Sequence, residues 1–376
     1  MSAMHAPRSL TLARSARITA LAVPAAISLA LLAGTAAVAN VGLTRVSHDI
    51  YTDSQAQHRT EVEPDTFQAG ATIVSAFQVG RVFGGGASNI GWSTSTNGGA
   101  SWGPARSPGG NHIGLGGQPL VLPNGDVVVP YLSIGRQIRS FRSTNGGASW
   151  GSSVLVSSVE QSRVRGGLRA PDLPSAAVDA AGTVYVAWSD CRFRAGCHSN
   201  DIVIAKSANG TTWAAPVRVP IDATSSTADH FIPGLDVDRS TSGAHARIGL
   251  TYYSYPTAAC GSSACQLDAG FISSVNGGAS WSAPTRLAGP MKLSWLANTS
   301  QGRMFGDYIS TSVLPGGNAY PVISVAKAPS GATFNQAMYT PTGGLAITGG
   351  GRAASAAHAY HVTRGAGGPT VPLTVR

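Results

Sequence analysis

Glutamate, lysine and cysteine are scarce in this 376-residue sequence. It contains three glutamates, three lysines and four cysteines, and charged residues make up 11% of the chain. The sequence also lacks a Gly-rich phosphate loop, a His-Glu-x-x-His pattern and a Gly-x-Ser-x-Gly pattern. The motifs of nucleotide-binding proteins, zincin metalloproteases and serine hydrolases are therefore absent.

The basic residues form no continuous run, although the formal net charge is +9. Three of the arginines, Arg8, Arg14 and Arg17, lie near the N-terminus, and the others are scattered. Recognition of nucleic acid requires basic residues clustered on one face or stripe. We therefore expect no nucleic-acid partner.

Glycine is abundant, with 47 residues, and the apolar residues form short alternating runs. Alternation with a period of two, interrupted by Gly-rich turns, is typical of β-strands. The sequence therefore predicts an all-β fold.

One eight-residue pattern recurs along the chain. Ser95-Thr-Asn-Gly-Gly-Ala-Ser-Trp102 returns at 143–150 and, with Val in place of Thr, at 274–281; shorter variants occupy 207–213 and 328–334. Asn-Gly-Gly between β-like runs predicts a hairpin, because Gly adopts positive φ without a Cβ clash. The aromatic residue that closes each copy is large enough to pin the turn onto a sheet.

The closing aromatic residues are 48 to 68 residues apart, which is the length of one four-stranded sheet with its loops. Such an interval predicts a β-propeller. Units are visible at 60–110, 111–160, 168–220, 228–288 and 300–340. We expect residues 341–376 to supply a sixth blade, with five or seven blades as the alternatives. Closure of the ring protects the sheet edges from pairing with other chains.

The repeated turns resemble the Asp-box, or bacterial neuraminidase repeat, of sialidase-like propellers, over about residues 60–340. The family pattern is Ser-x-Asp-x-Gly-x-x-Trp, and Asn97, Asn145 and Asn276 stand here in place of Asp. The resemblance implies a sialidase-like glycoside hydrolase whose site lies away from these turns. The Arg-Ile-Pro motif of the family's first blade is replaced by Glu63-Pro-Asp65.

The N-terminal residues 1–39 have the pattern of an export signal. A basic start precedes an apolar run from Ile18, which ends in Ala37-Val38-Ala39, a small-residue cleavage pattern. We expect a signal peptide at 1–39, a tail at 40–59 and the propeller at 60–376. The protein would be secreted or displayed on the cell surface, and membrane-bound only if the apolar run remains as an uncleaved anchor.

The four cysteines form two local pairs, Cys191 with Cys197 and Cys260 with Cys265. In an exported protein such pairs indicate disulfides, although sequence alone does not fix the pairing. A zinc site favours closer spacing and His partners. We expect disulfides, and neither a metal nor another cofactor.

Each unit opens with a polar residue next to Pro or Gly, followed by an apolar strand. In a propeller these would be the innermost strands, so the polar residues would meet at one rim of the central channel. The carboxylates of Glu61, Glu63 and Asp65 alternate along one strand, and their repulsion would raise a pKa for general acid catalysis. The alternative is a solvated strand end. The predicted catalytic residues are Glu63, Asp65, Asp172, Asp307 and Tyr308.

Arginines and tyrosines near the same rim supply candidate ligand contacts. Arg192 follows Asp190 in a predicted disulfide loop and could bind carboxylates or hydroxyls, the alternative being a surface ion pair. A Tyr nucleophile needs a nearby carboxylate, and Asp307 precedes Tyr308, although neighbours in a strand face opposite ways. The predicted substrate-binding residues are Arg81, Gln118, Asp190, Arg192, His230, Tyr253 and Arg303.

Two functions follow from this pattern. The first is a glycoside hydrolase, exo-sialidase-like, that acts on extracellular glycans at the propeller mouth. The second is a non-catalytic propeller that binds glycans or a protein partner at the cell surface, because the fold alone does not fix the function. We expect a monomer in both cases.

Overall fold

A computed structural model describes residues 47–54, 56–69, 72–82, 87–106, 113–261, 263–296, 298–331 and 333–354. The predicted signal peptide at 1–39 lies outside these residues. No helix within the described ranges is long and apolar enough to cross a membrane.

The regular structure of the described residues is almost entirely β. Its strands, in chain order, are β1 (Ala56–Ala69), β2 (Thr72–Val82), β3 (Ala87–Ser95), β4 (Gly114–Leu115), β5 (Leu120–Val121), β6 (Val127–Ser133), β7 (Gln137–Ser143), β8 (Val154–Ser158), β9 (Ser175–Val178), β10 (Val184–Asp190), β11 (Asp201–Ser207), β12 (Val217–Arg218), β13 (Asp229–Val237), β14 (Ile248–Tyr255), β15 (Gln266–Ser274), β16 (Ser280–Trp281), β17 (Thr285–Lys292), β18 (Asn298–Thr299), β19 (Gly302–Arg303), β20 (Ser310–Val313), β21 (Ala319–Ser330), β22 (Thr333–Tyr339) and β23 (Arg352–Ala353). Short 3₁₀ segments occur at Ala195–Cys197, Gly243–His245 and Leu293–Trp295.

The strands form successive antiparallel blades. Blade 1 contains β1–β2–β3, blade 2 contains β5–β6–β7–β8, and blade 3 contains β9–β10–β11–β12. Blade 4 contains β13–β14–β15–β17 and blade 5 contains β20–β21–β22. The short strand β4 pairs with both β3 and β6, so it joins blades 1 and 2.

The innermost strands of neighbouring blades contact one another. β1 contacts β5, β5 contacts β9, β9 contacts β13, and β13 contacts β20. These strands enclose a central channel, because each blade presents its first strand to the axis. The predicted all-β propeller is confirmed.

The described residues form five blades, and the sixth remains a prediction. In the predicted sixth unit, Leu345 pairs with Ala319 of blade 5, and β23 pairs with β16 beside blade 4. Residues 355–376 lie outside the described part of the chain.

The packing between blades is apolar. One buried cluster combines Leu120 and Val128 of blade 2 with Val184, Trp188 and Val203 of blade 3. Full burial of such a side chain contributes about 1.5–3 kcal/mol relative to exposure, so these contacts between blades stabilise the fold.

The repeated turns at 95–102, 143–150, 207–213 and 274–281, here called the turn boxes, are built from one hydrogen-bond pattern. In the first box, Ser95 Oγ accepts from Gly99 N at 2.8 Å and donates to Asn97 Oδ1 at 2.9 Å. Asn97 Oδ1 also accepts from Ser101 N at 2.9 Å. Gly98 and Gly99 have φ of +67° and +85°, which explains why glycine occupies both positions.

The other three turn boxes follow the same scheme. Ser143 Oγ and Ser274 Oγ accept from backbone N–H groups at 2.8 and 2.9 Å, and Ser207 Oγ does so in the shorter box at 2.8 Å. The predicted hairpin turns are therefore confirmed at these four positions. The fifth variant, 328–334, includes one residue outside the described set.

Both local cysteine pairs form disulfides, Cys191 with Cys197 and Cys260 with Cys265. The first closes the loop between β10 and β11, and the second closes the loop between β14 and β15. The predicted disulfides are thereby confirmed.

Candidate functional site in the central channel

A cavity of about 300 Å³ opens in the central channel. Its wall is formed by residues of all five innermost strands or of the segments next to them. The residues whose polar groups or rings line it include Phe67, Gln118, Ser175, Asp236, Arg239, Tyr308, Ser310, Thr311 and Ser312. A concave space with a few convergent polar groups is the usual form of a small-ligand site.

Asp236 is the one carboxylate among the described residues that line this cavity. It lies near the end of β13, and its Oδ2 accepts a 2.7 Å hydrogen bond from the backbone N–H of Val313 in β20. Burial raises the pKa of Asp236, although the N–H groups of Val313 and Val237 lower it, as does the charge of Arg239. A raised pKa suits a carboxyl group that donates a proton.

Arg239 and Phe67 stand together in the cavity wall. The guanidinium carbon of Arg239 lies 3.9 Å from the centroid of the Phe67 ring, in cation–π geometry. Arg239 thus provides a positive charge near Asp236 and connects the segment after β13 with β1.

Asp307 and Tyr308 are consecutive, and their side chains have opposite environments. Tyr308 is 51% exposed and lines the cavity, whereas Asp307 is buried. Asp307 forms a two-point ion pair with Arg169, whose Nε donates to Asp307 Oδ1 at 2.6 Å and whose Nη2 donates to Oδ2. Both residues precede β20, so this divergence arises in the irregular segment that leads into the strand and not from strand alternation.

Hydroxyl and amide groups complete the open side of the channel. Ser310 and Ser312 are both exposed and line the cavity. The Gln118 backbone N–H donates to Pro130 O at 2.9 Å, which fixes the segment before β5 at the wall. Such groups offer hydrogen bonds to a hydroxyl-rich ligand.

Asp172 lies just before Leu173, which lines the channel, and is itself buried. Its Oδ1 accepts from Ser189 Oγ at 2.9 Å, and its Oδ2 lies 3.7 Å from Nη2 of Arg136. Burial raises the pKa of Asp172 to about 7, while Ser189 and Arg136 oppose the shift. Asp172 therefore holds a proton up to nearly neutral pH next to the channel wall.

Asp190 and Arg192 bind each other rather than facing the cavity. Asp190 is fully buried and accepts from Arg192 Nε at 2.8 Å and from Trp188 Nε1 at 3.0 Å. Arg192 also donates to the carbonyl of Ser158. This pair fastens the first disulfide loop to the end of β8.

His230 belongs to a separate buried charge cluster. Burial lowers the pKa of His230, whose Nε2 lies 3.9 Å from Asp222 Oδ2. Ligand atoms of Asp201, Asp222 and His230 all lie within 4.8 Å of one another. Arg194 and Arg218, however, donate to both aspartates at 2.5–2.9 Å, and so already neutralise the two carboxylates.

Tyr253 and Arg303 stabilise the fold at the positions where the structure places them. Tyr253 is fully buried and donates to Ser324 O at 2.8 Å, so its hydroxyl does not reach the cavity. Arg303 donates from Nη1 to Leu296 O at 2.7 Å.

The side chains of Glu63, Asp65 and Arg81 lie outside the described set. The backbones of Glu63 and Asp65 belong to β1, where Asp65 pairs with Ala76. Arg81 belongs to β2 and pairs with Ala87 in β3.

The structure thus brings Gln118 and Tyr308 together in the channel, with Asp172 just behind the wall. Sequence reasoning missed Asp236, Arg239 and the two exposed serines. A signal for Asp236 exists, because a single Asp interrupts the apolar end of β13 between Leu235 and Val237. In an innermost strand, the side chain of an acidic residue faces either the channel or a group on a neighbouring strand that binds it.

No protein-family profile and no curated protein sequence matches this chain. Several solved structures are similar in fold. The GH93 α-L-arabinofuranosidase of Fusarium graminearum, in complex with arabinobiose, has a TM-score of 0.47 and 12% sequence identity, covering 80% of this chain and 87% of that one. The Penicillium chrysogenum α-L-arabinanase with arabinobiose has a TM-score of 0.47 and 15% identity, covering 79% and 81%. A mutant of the NanB sialidase of Streptococcus pneumoniae has a TM-score of 0.37 and 15% identity, covering 62% and 32%.

Proposed function

We propose that this chain is an extracellular carbohydrate-active protein, a glycoside hydrolase whose site is the central channel. The observation that carries the proposal is the composition of the cavity wall. Asp236, with a raised pKa, shares a cavity of about 300 Å³ with the exposed ring of Tyr308 and with serine hydroxyls. Hydrogen-bonding groups and an aromatic surface suit the binding of a sugar ring, and cleavage of its glycosidic bond uses a proton donor.

In the proposed reaction, the protonated carboxyl group of Asp236 donates its proton to the oxygen of the scissile glycosidic bond. A second carboxylate must act as nucleophile or as the base that activates water. We assign this role to Asp65, because it precedes the channel residue Phe67 by two positions in β1. Residues two apart on a regular strand occupy the same face.

Asp172 and Tyr308 take supporting roles in this proposal. Tyr308 offers its exposed ring and hydroxyl to the ligand. Asp172, whose pKa burial raises to about 7, lies behind the wall, where its contact with Ser189 fixes the segment that leads into β9.

The exo-sialidase specificity implied by the repeated turns is a finer form of the same proposal. It requires free arginines for the sialic acid carboxylate, whereas Arg192 and Arg303 already bind protein groups. Sialosides therefore form one arm of the substrate test beside neutral glycosides. Export, inferred from residues 1–39, is supported by the two disulfides.

A non-catalytic glycan-binding propeller is the second candidate. It is favoured by the fact that Asp172 and Asp307 are buried and held by protein partners. Asp236 is then the sole carboxylate facing the cavity among the described lining residues.

The test is hydrolysis of a panel of fluorogenic glycosides, including arabinofuranosides and sialosides, by the protein beginning near Asn40. If the wild type cleaves one of these glycosides, Asp236→Asn and Asp65→Asn should each lower kcat by about 100-fold or more. Asp268→Asn, a change of the same type at an aspartate paired with Arg286 on blade 4, should retain activity. Full activity of Asp236→Asn would overturn the proposed site. Glycan binding without turnover of any glycoside by the wild type would establish the second candidate.

A further inference from the structure

The segment between β8 and β9 folds into a compact loop, residues 161–170, here called the arginine loop. Gln161 Nε2 donates to Ala170 O at 3.4 Å, so the two ends of the loop meet. Val164 and Leu168 are buried in a cluster with Phe231 and Tyr253 of blade 4. Compact loops with adjacent ends and their own buried anchors hold a defined shape on a protein surface.

The arginine loop borders the channel mouth. Arg169 binds Asp307, which immediately precedes the channel residue Tyr308. At the other end of the loop, Gln161 accepts from Arg136, whose guanidinium faces Asp172. The loop also pairs with β19, since Arg169 N donates to Arg303 O at 2.8 Å.

Arg163 and Arg165 are the charged groups that this loop presents to solvent. Both are exposed, and they flank the buried Val164. Within the part of the chain that the structure describes, neither side chain has a hydrogen-bond or ion-pair partner. The loop contains a third arginine, Arg169, and no acidic residue. Asp172, Asp307 and Asp190 pair with Arg136, Arg169 and Arg192, so these aspartates do not neutralise the charges of Arg163 and Arg165.

We propose that the arginine loop is a binding surface for linear anionic polysaccharides, whose carboxylate or sulfate groups pair with Arg163 and Arg165. Guanidinium groups suit both anions, since their planar N–H donors form paired hydrogen bonds with two oxygens. A polysaccharide, rather than another polyanion, is inferred from the position of the loop beside the channel, and to that extent this proposal rests on the proposed function. A chain that enters the channel would cross the loop with its charged groups outside the cavity.

The loop would add affinity for the polymer without taking part in bond cleavage. Because both arginines are exposed, salt should weaken their contribution strongly. Small neutral glycosides, which do not reach the loop, should be processed at unchanged rates.

The test is calorimetric binding of the full exported protein to two matched polymer pairs. Dextran sulfate is compared with dextran, and polygalacturonate with its methyl ester, so that sulfate and carboxylate are examined separately against neutral polymers. Arg163→Gln/Arg165→Gln should lose about five- to tenfold in affinity for the anionic polymer at low salt, and less at high salt. The double variant Arg106→Gln/Lys327→Gln removes the same charge from exposed positions beside blade 1 and on blade 5, and should bind as the wild type does.

The proposal is supported if the wild type binds at least one anionic polymer more tightly than its neutral partner, and if only the arginine double variant loses this preference. The proposal is overturned if the wild type binds neutral and anionic polymers equally, or if both double variants lose the same affinity. It is also overturned if the wild type binds a DNA duplex more tightly than either anionic polymer. Hydrolysis of small neutral glycosides is measured in parallel. Its absence counts against the proposed function alone, whereas an unchanged polymer affinity of the arginine variant counts against the arginine loop alone.

Discussion

The turn boxes and the wall of the central channel are built on opposite principles. At the turn boxes, Ser, Asn and Gly repeat one set of hydrogen bonds in four blades. In the channel wall, each innermost strand or the segment before it contributes a different residue, such as Gln118, Asp236 or Tyr308. The repeated side chains form the same hydrogen bonds with the backbone in each of the four blades. A single asymmetric ligand would contact all the blades at once, so each blade must offer it a different group.

This difference separates residues that determine stability from residues that determine function. Side chains of the turn boxes bind backbone groups of their own turn, so their loss weakens a hairpin. Channel residues such as Ser310 and Ser312 are exposed to the cavity, so their loss should alter ligand contacts with little effect on folding. If the separation holds, substitutions at the turn boxes change stability, and substitutions in the channel change ligand contacts.

The largest expected effect is on stability, at the turn-box tryptophans. Trp281 is fully buried and its Nε1 donates to Gly278 O, whereas Trp102 is only partly buried. Trp281→Ala should lower the free energy of unfolding by about 3–5 kcal/mol, and Trp102→Ala by clearly less. Urea denaturation measures both. Equal losses would show that burial does not set the contribution of these residues.

The next effect concerns pH at the mouth. Native Asp172 keeps its proton up to a pKa of about 7, whereas the unfolded chain releases it near the ordinary Asp value of 3.8. Since the native state binds more protons between these values, stability should fall by up to about 1.4 kcal/mol per pH unit as the pH rises from 4 to 7.

Asp172→Asn should remove this slope, because an amide does not titrate. Asp229, whose pKa burial raises to about 6, adds a slope of the same sign, and His230, whose pKa burial lowers, adds one of opposite sign. The quantity to measure is therefore the difference in unfolding free energy between wild type and Asp172→Asn at pH 5 and at pH 8. A difference that does not change with pH would show that Asp172 is ionised in the folded protein throughout.

A smaller effect is expected when the turn-box amide is changed. Asn276 Oδ1 accepts from Ser274 Oγ and Ser280 N, and its Nδ2 donates to Ser280 Oγ. An Asp carboxylate at this position keeps the acceptor oxygen for Ser274 Oγ and Ser280 N. The Ser280 hydroxyl, which accepts from the amide of Asn276, can instead donate its hydrogen to the carboxylate. Asn276→Asp should therefore change the melting temperature little, whereas Asn276→Ala should cost about 1–3 kcal/mol. Equal destabilisation by both changes would mean that the amide donor is essential.

The smallest effect is expected from single hydroxyls of the channel. Ser310→Ala or Ser312→Ala should raise KM for a cleaved glycoside a few-fold, as expected for one neutral hydrogen bond of about 1 kcal/mol, and leave stability unchanged. Ser140 of blade 2 is buried outside the cavity wall, and its hydroxyl donates to Gly210 O at 2.9 Å. Ser140→Ala should therefore affect stability rather than KM, which makes it the matched control.

Local sequence patterns predicted the architecture well, because a propeller repeats local units. The Asn-Gly-Gly turns, the unit boundaries and the two short-range disulfides all depend on residues close in sequence.

The site was predicted less completely, because it depends on contacts between blades. Tyr253 was expected to bind substrate, yet its hydroxyl donates to Ser324 O, which lies 71 residues away in blade 5. The pairing of Arg169 with Asp307 spans 138 residues, and no local pattern indicates it. Asp236 was missed because only the assembled ring shows that this position faces the channel.

The most direct test of the central claim measures kcat and unfolding free energy for Asp236→Asn and Trp102→Ala side by side. The substrate is the glycoside that the wild type cleaves best. We predict that Asp236→Asn loses about 100-fold or more of kcat with little change in stability, and that Trp102→Ala loses stability while its kcat is retained. If Asp236→Asn keeps its activity, or Trp102→Ala loses kcat while fully folded, then the channel is not where the chemistry occurs.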